Sequence, residues 1–195
     1  EEQLLSWIRE AIHLPQEFGG VLTSGGSIAN LSALAAARTR LPAEKRKLGT
    51  IYVSSEAHFS IAKAAQLLDI TPAQIRTLPV DSKQRLVPAD VATAMADDVA
   101  AGRHPLLLCA SLGTTSTGAI DPLDELAEIT QRYGAWFHVD GAYGAAVRLL
   151  PEYRDATAGL AKADSVTLDP HKWLYAPMES GCFLTRDMAA LETAF

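Results

Sequence analysis

Ser165-Val166-Thr167-Leu168-Asp169-Pro170-His171-Lys172-Trp173 joins a short apolar run to a cluster of reactive side chains. A second apolar run follows, Gly181-Cys182-Phe183-Leu184-Thr185. Both runs have the length and composition of buried strands. A lysine between them, beside Pro170, His171, Trp173, Leu174 and Tyr175, is out of place as an ordinary surface charge. These neighbours predict a partly desolvated wall, where burial disfavours the charged form of an amine. Such an amine can attack a carbonyl and form a Schiff base. The plain alternative is a lysine whose stem lies along Trp173 while its head reaches water. The stretch alone leaves both readings open.

Chemistry placed directly after a strand recurs upstream. Trp136-Phe137-His138-Val139-Asp140 reads as a strand whose period of two puts Trp136, His138 and Asp140 on one face. Asp140 comes last, before the small residues Gly141-Ala142. A carboxylate there suits a flat ligand held against the backbone, or else a solvated turn. Leu106 to Ser111 is a near-continuous apolar run, as in a central parallel strand, and leads into the hydroxyl-rich turn Gly113-Thr114-Thr115-Ser116-Thr117-Gly118. Thr50 to Ser54 reads as a strand. Glu56-Ala57-His58-Phe59 then opens a helix to about Leu68, which puts His58 just beyond a strand end.

Val21-Leu22-Thr23 leads into Ser24-Gly25-Gly26-Ser27 and a strong helix from Ile28 to Arg40. Glycines let the backbone approach a ligand, and a helix start offers free N–H groups and a favourable dipole to an anion. Ser27 adds a hydroxyl, or serves as a helix N-cap. The Lys-Ser/Thr of a Walker A loop and the spacing of a dinucleotide fingerprint are both missing.

The rest of the chain continues the alternation. Leu4, Leu5, Ile8, Ala11 and Ile12 have helical spacing, so residues 3–13 are expected to be an amphipathic helix ending near Pro15. Ile75 to Val80 is a strand candidate, and Pro88 to Ala101 a peripheral helix with Pro in its first turn. Asp121-Pro122 starts a helix to about Arg132, and Asp187 to Phe195 reads as another. Strand followed by helix throughout predicts an α/β fold, a mostly parallel sheet with helices on both faces. Ligands in such sheets bind at the carboxyl edge. The Gly25–Ser27 turn, His58, Thr115, Asp140 and Lys172 would therefore gather on one edge.

Pyridoxal 5'-phosphate needs all of these groups. It brings an aldehyde for Lys172, a phosphate for Gly25-Gly26-Ser27, a pyridine nitrogen for Asp140 and a flat ring for His58 to stack on.

The segments Thr23-Ser24-Gly25-Gly26-Ser27-Ile28-Ala29-Asn30, Ser55-Glu56-Ala57-His58, Gly113-Thr114-Thr115, His138-Val139-Asp140-Gly141-Ala142-Tyr143 and Asp169-Pro170-His171-Lys172-Trp173-Leu174 run through almost the whole chain. In this order they resemble the group II pyridoxal-phosphate-dependent amino acid decarboxylases, which include aromatic amino acid and glutamate decarboxylases. The resemblance implies an aspartate aminotransferase-like (fold type I) large domain. It also implies decarboxylation of an L-amino acid to the amine and carbon dioxide, through a Schiff base on Lys172, and a homodimer. By the same resemblance Ala142 packs on the ring face opposite His58, and Thr115 lies near the ring substituents or the substrate carboxylate. His171 would neighbour the phosphate and Lys172. Asp169 stands where many members have Asn and would orient the phosphate region through water or its backbone, although a carboxylate near a phosphate is unfavourable. Gly141 replaces a common Ala.

Family members are much longer. Residues 1–195 are therefore expected to be a large domain truncated at both ends, without the N-terminal segment, the mobile catalytic loop and the C-terminal small domain. Such a piece alone is expected to be inactive and poorly stable. An aminotransferase, a carbon–carbon lyase or an aldehyde synthase would use the same Asp140 and Lys172.

Composition narrows the classes further. Of 195 residues, 48% are hydrophobic and 21% charged, the balance of an ordinary globular domain, and the net charge of −6 disfavours a nucleic-acid or anionic membrane surface. No apolar run approaches the roughly 20 residues of a membrane span. Glu1-Glu2-Gln3 lacks the basic start of a signal peptide. Cys109 and Cys182 lie in strand-like runs and read as reduced core residues, a disulfide between them being the alternative; together these features favour the cytoplasm. For a metal hydrolase built on His138, Asp140 and His171, only His138 and Asp140 share a strand face and no third ligand, His171 included, stands at a recognisable spacing, so no metal is expected.

Overall fold

The computed structural model describes residues 1–195. Its centre is one seven-stranded sheet. In chain order the strands are β1 (Gly19–Thr23), β2 (Gly49–Ser54), β3 (Ile75–Leu78), β4 (His104–Ser111), β5 (Trp136–Asp140), β6 (Ser165–Leu168) and β7 (Gly181–Thr185). In space they run β1-β7-β6-β5-β4-β2-β3. The pairs β2–β3, β2–β4, β4–β5 and β5–β6 are parallel, while β7 is antiparallel to both β6 and β1. The two reversals cancel, so β1 points the same way as β6. The turns after β1, β2, β4, β5 and β6 therefore share the carboxyl edge of the sheet.

The eight helices are α1 (Glu2–Ala11), α2 (Gly26–Thr39), α3 (Ser60–Leu67), α4 (Pro88–Ala100), α5 (Leu123–Tyr133), α6 (Pro151–Arg154), α7 (Pro170–Trp173) and α8 (Met188–Ala194). Strand alternation sends neighbouring side chains to opposite faces. Tyr52, Leu108, Phe137 and Val139 join Leu5 and Ile8 of α1, Val91 and Met95 of α4, and Leu126 and Ile129 of α5 in one core. Ile51, Val53, Leu107 and Trp136 join Leu34 of α2, Ile61 and Ala64 of α3, and Ala190 of α8 in the other. Each fully buried large side chain in these layers contributes about 1.5–3 kcal/mol.

Helices thus cover both faces, as the strand–helix alternation predicts. Differences lie at element ends. The expected helix from Glu56 starts only at Ser60, so His58 sits in the preceding turn. The strand expected over Ile75 to Val80 ends at Leu78. α2 begins at Gly26, with Gly25 as its N-cap at φ 148 and no side-chain cap, so Ser27 lies inside the first turn and is not the N-cap. Asp121 does not cap α5. It is buried and accepts from the backbone N–H groups of Leu86 and Ser111, both at 2.7 Å, tying two loops to β4.

Candidate active site

A cavity of about 420 Å³ opens at the carboxyl edge of the sheet. All ten site residues singled out in the sequence line it: Gly25, Gly26, Ser27, His58, Thr115, Asp140, Ala142, Asp169, His171 and Lys172. Its size falls within the range of cofactor sites.

One wall is the start of α2. The backbone N–H groups of Gly26 and Ser27 make no hydrogen bond within the chain, as expected of a helix first turn, and remain available to an anion. The backbone packs too closely here for a side chain. A Cβ on Gly26 would stand 2.9 Å from Asp169 Oδ2 and 3.0 Å from Ala142 Cβ, and one on Gly25 would stand 3.3 Å from His171 Cε1.

The floor is built by β5 and β6. Asp140, at the end of β5, accepts from the Ala142 backbone N–H at 3.1 Å through Oδ1 and from Asn30 Nδ2 at 2.8 Å through Oδ2. Asp169, directly after β6, is buried. Its Oδ2 lies 3.0 Å from Lys172 Nζ and 3.6 Å from His171 Nε2, while its Oδ1 has no partner. His171 Nδ1 accepts from the Ser180 backbone N–H at 2.9 Å, which turns the ring toward the Gly25 turn.

The surroundings of Lys172 differ from the desolvated wall expected from its neighbours. Its side chain is 37% exposed, and Trp173, Leu174 and Tyr175 are exposed too. What holds the amine is Asp169 three residues earlier, because the single turn of α7 brings the two side chains to the same side. Asp169 is thus the ion-pair partner of the lysine.

His58 and Thr115 also line the cavity. His58 Nδ1 lies 2.8 Å from Ser60 Oγ, and its ring rests on Phe59 with centroids 4.1 Å apart. Thr115 is exposed in the turn after β4. Trp136, His138 and Asp140 share a face of β5, as the alternation predicts, but only Asp140 reaches the cavity. His138 is buried, with Nδ1 at 2.8 Å from Ser165 Oγ and Nε2 at 3.0 Å from Asn30 Oδ1. Both ring nitrogens are engaged, and no group of three or more His, Cys, Asp or Glu side chains is arranged to hold a metal ion.

Sequence reasoning missed Asn30, Ser60 and Ser165, which connect these groups. A signal for Asn30 was present: an amide is a poor choice inside an Ala- and Leu-rich helix unless its side chain has work to do.

The pyridoxal-dependent decarboxylase conserved domain matches residues 1–195. The chain is 35% identical to an aromatic-L-amino-acid decarboxylase of Bacillus atrophaeus over 191 residues, 98% of this chain and 40% of that protein. It is 33% identical to a phenylacetaldehyde synthase of Petunia hybrida over 209 residues, 100% of this chain and 41% of that protein. The crystal structure of Oryza sativa TDC with PLP and tryptamine superposes with a TM-score of 0.94 at 32% identity, covering 100% of this chain and 43% of that one. The chain thus spans about 40% of the length of the curated relatives it matches.

Proposed function

The chain belongs to the pyridoxal-dependent decarboxylase family, and from that premise we propose that it forms the cofactor-holding large domain of an enzyme that releases carbon dioxide from an L-amino acid. The observation that carries the proposal is the meeting, in one cavity, of the Lys172 amine, the Asp140 carboxylate and the free amides of Gly26 and Ser27. These residues fit pyridoxal phosphate. The close packing at Gly26 leaves the helix start bare for a phosphate, and the Asp140 carboxylate is presented where a pyridine nitrogen can meet it.

When bound, the cofactor supplies a carbonyl carbon and a ring able to accept an electron pair. Lys172 is assigned its covalent attachment, and Asp169 holds the lysine amine in reach until then. Asp140 would keep a proton at the ring nitrogen. Gly25, Gly26 and Ser27 bind the phosphate at the α2 start, with His171 beside them. His58 and Ala142, which line the same cavity, would hold the ring between them, orient it and exclude water. Thr115 is assigned to the rim where the substrate carboxylate enters.

A second reading has a specific basis. The 33% identity to a phenylacetaldehyde synthase makes an aldehyde product, with oxygen uptake, the alternative outcome at the same site. Analysis of the product formed from an L-amino acid, amine or aldehyde, separates the two.

Homodimerisation and a cytoplasmic location complete the proposal. Phe59, Tyr175 and Met178 are exposed at or beside the cavity mouth and offer an apolar rim for a second copy. Cys109 and Cys182 are free and buried, as suits a reducing compartment. No helix is long and apolar enough to cross a membrane.

The test is an absorption spectrum with pyridoxal phosphate, before and after borohydride, on wild type and Lys172→Ala. A visible band that borohydride converts to a covalent adduct, lost in Lys172→Ala, is expected. A folded wild-type protein with no such band would sink the assignment.

A further inference from the structure

Eight polar side chains beside the cavity form one connected network of hydrogen bonds, running from Trp136 to His58. Trp136 Nε1–H can only donate, and it donates to Ser165 Oγ at 2.8 Å. The Ser165 hydrogen can then go to His138 Nδ1, also at 2.8 Å. His138 is buried away from water, and that burial, outweighing the pull of Asp140, lowers its pKa to about 4, so the ring is neutral and has one hydrogen. Asn30 Oδ1, 3.0 Å from Nε2, can only accept, so that hydrogen is on Nε2; Thr167 Oγ1 also donates to this oxygen at 2.8 Å.

With its oxygen facing two donors, the Asn30 amide turns its nitrogen to two acceptors. These are Asp140 Oδ2 and Ser60 Oγ, both at 2.8 Å. A carboxylate has nothing to donate, so this orientation of the amide is the only one the chemistry allows. Ser60 Oγ accepts from Asn30 and has its own hydrogen left for His58 Nδ1 at 2.8 Å. The Ser60 backbone N–H points at the same nitrogen at 3.3 Å.

We propose that Asn30 is a positioning residue that sets two site groups with one amide: it holds Asp140 Oδ2 directly and, through Ser60, keeps the His58 hydrogen on Nε2. Nε2 has no partner within the chain, so His58 presents a hydrogen-bond donor to whatever the cavity binds. The importance of both groups rests on the function proposed above, but the order of hydrogen bonds exists without the cofactor. Asn30 is 1% exposed, so water does not compete for these bonds. The titratable groups around it are Asp140 and His138 of β5 and, beyond Ser60, His58. Cys109 of β4 is the sheet partner of His138, and burial, with the nearby Asp140 charge, holds its thiol neutral.

The test is nitrogen-15 NMR of histidine-labelled protein without cofactor, which reports the ring nitrogen that carries hydrogen. In wild type, His58 and His138 are both expected to carry it on Nε2. Asn30→Asp keeps the shape and can still accept from His138 and Thr167, but the one proton that the two facing carboxylates share lies toward Asp140, which leaves nothing to donate to Ser60. The Ser60 hydroxyl then turns to that carboxylate, its oxygen accepts from His58, and the His58 hydrogen moves to Nδ1 while His138 is unchanged. A wild-type His58 with hydrogen on Nδ1, or an Asn30→Asp protein with intact His138 signals and no change at His58, overturns the proposal. If Asn30→Asp does not fold, wild type alone decides through scalar coupling between the Ser60 hydroxyl hydrogen and His58 Nδ1, whose absence overturns it. In the same variant, the proton held between residue 30 and Asp140 is expected to weaken pyridoxal phosphate binding about tenfold. A wild type that binds no cofactor would refute the functional reading and leave the tautomer result standing.

Discussion

At the scale of single residues, the site is defined by which polar groups are paired. Asp169 holds Lys172, Asn30 holds Asp140, and Ser60 meets His58. His138 gives this pairing a pH signature. In the unfolded chain a histidine takes up a proton near its ordinary value of 6.5, whereas burial lowers the folded value to about 4. A depressed histidine stabilises the fold fully above about 6.5. As pH falls below that, the unfolded state binds the proton first, and stability drops by up to about 1.4 kcal/mol per pH unit until the folded ring also titrates. Urea unfolding at steps between pH 7.5 and pH 4.5 should show this decline, and His138→Gln should flatten it. Equal slopes in the two proteins would show that His138 does not carry the effect. The comparison also separates it from Asp121, whose carboxyl burial pushes up. For that group the sign is opposite, because protonation at low pH relieves its burial cost.

Among the elements, α2 matters most. Its first turn offers the free amides, and its second faces β5 and β6 with Asn30. Gly26→Ala would place a methyl 2.9 Å from the Asp169 carboxylate and 3.0 Å from Ala142. Such overpacking costs about 1–3 kcal/mol. A melting curve should record that loss, and pyridoxal phosphate titration should show weaker binding, since the α2 start and the Asp169 side chain must separate. Unchanged affinity would place the anion site elsewhere. The helix itself was legible from its Ala- and Leu-rich run after a Gly-Gly turn. The beginning of α3 was not. Glu56 to Phe59 reads as helical, but Ser54 Oγ accepts from the Glu56 backbone N–H and leads the chain into a turn before Ser60.

Over the whole molecule, the sheet brings residues from distant parts of the chain to one edge, and buried polar links tie outer segments to one another. Arg148 is the most connected of these links. Only 5% exposed, it donates to the Ile12 carbonyl at 2.6 Å and to the Thr157 carbonyl at 2.6 Å, joining the end of α1 to residues 155–162. Hydrogen bonds from a charged donor are worth about 1.5–3 kcal/mol. Arg148→Ala should therefore loosen both segments together. Limited proteolysis is expected to cut near residues 12–16 and 155–162 faster than in wild type, with the sheet resisting longer. Cleavage at wild-type rates would mean that apolar packing alone holds these layers.

The sequence by itself determined the strand–helix alternation, the covering of both sheet faces and the identity of the residues at the strand ends. Those features are written in local periods of two and of about 3.6, and in turn residues next to them. His58, Thr115, Asp140 and Lys172 could be placed at one edge because each follows its own strand. The strand order, the antiparallel β7 beside β6 and the pairing of Lys172 with Asp169 were decided only by the tertiary structure. So was the hub at Asn30, whose partners Asp140, His138 and Thr167 lie 110, 108 and 137 residues away. A hydrogen bond between such distant residues leaves no periodic trace in the chain. It exists because the packing of α2 on β5 and β6 removes water from all of these groups at once, and each must then find its partner within the protein.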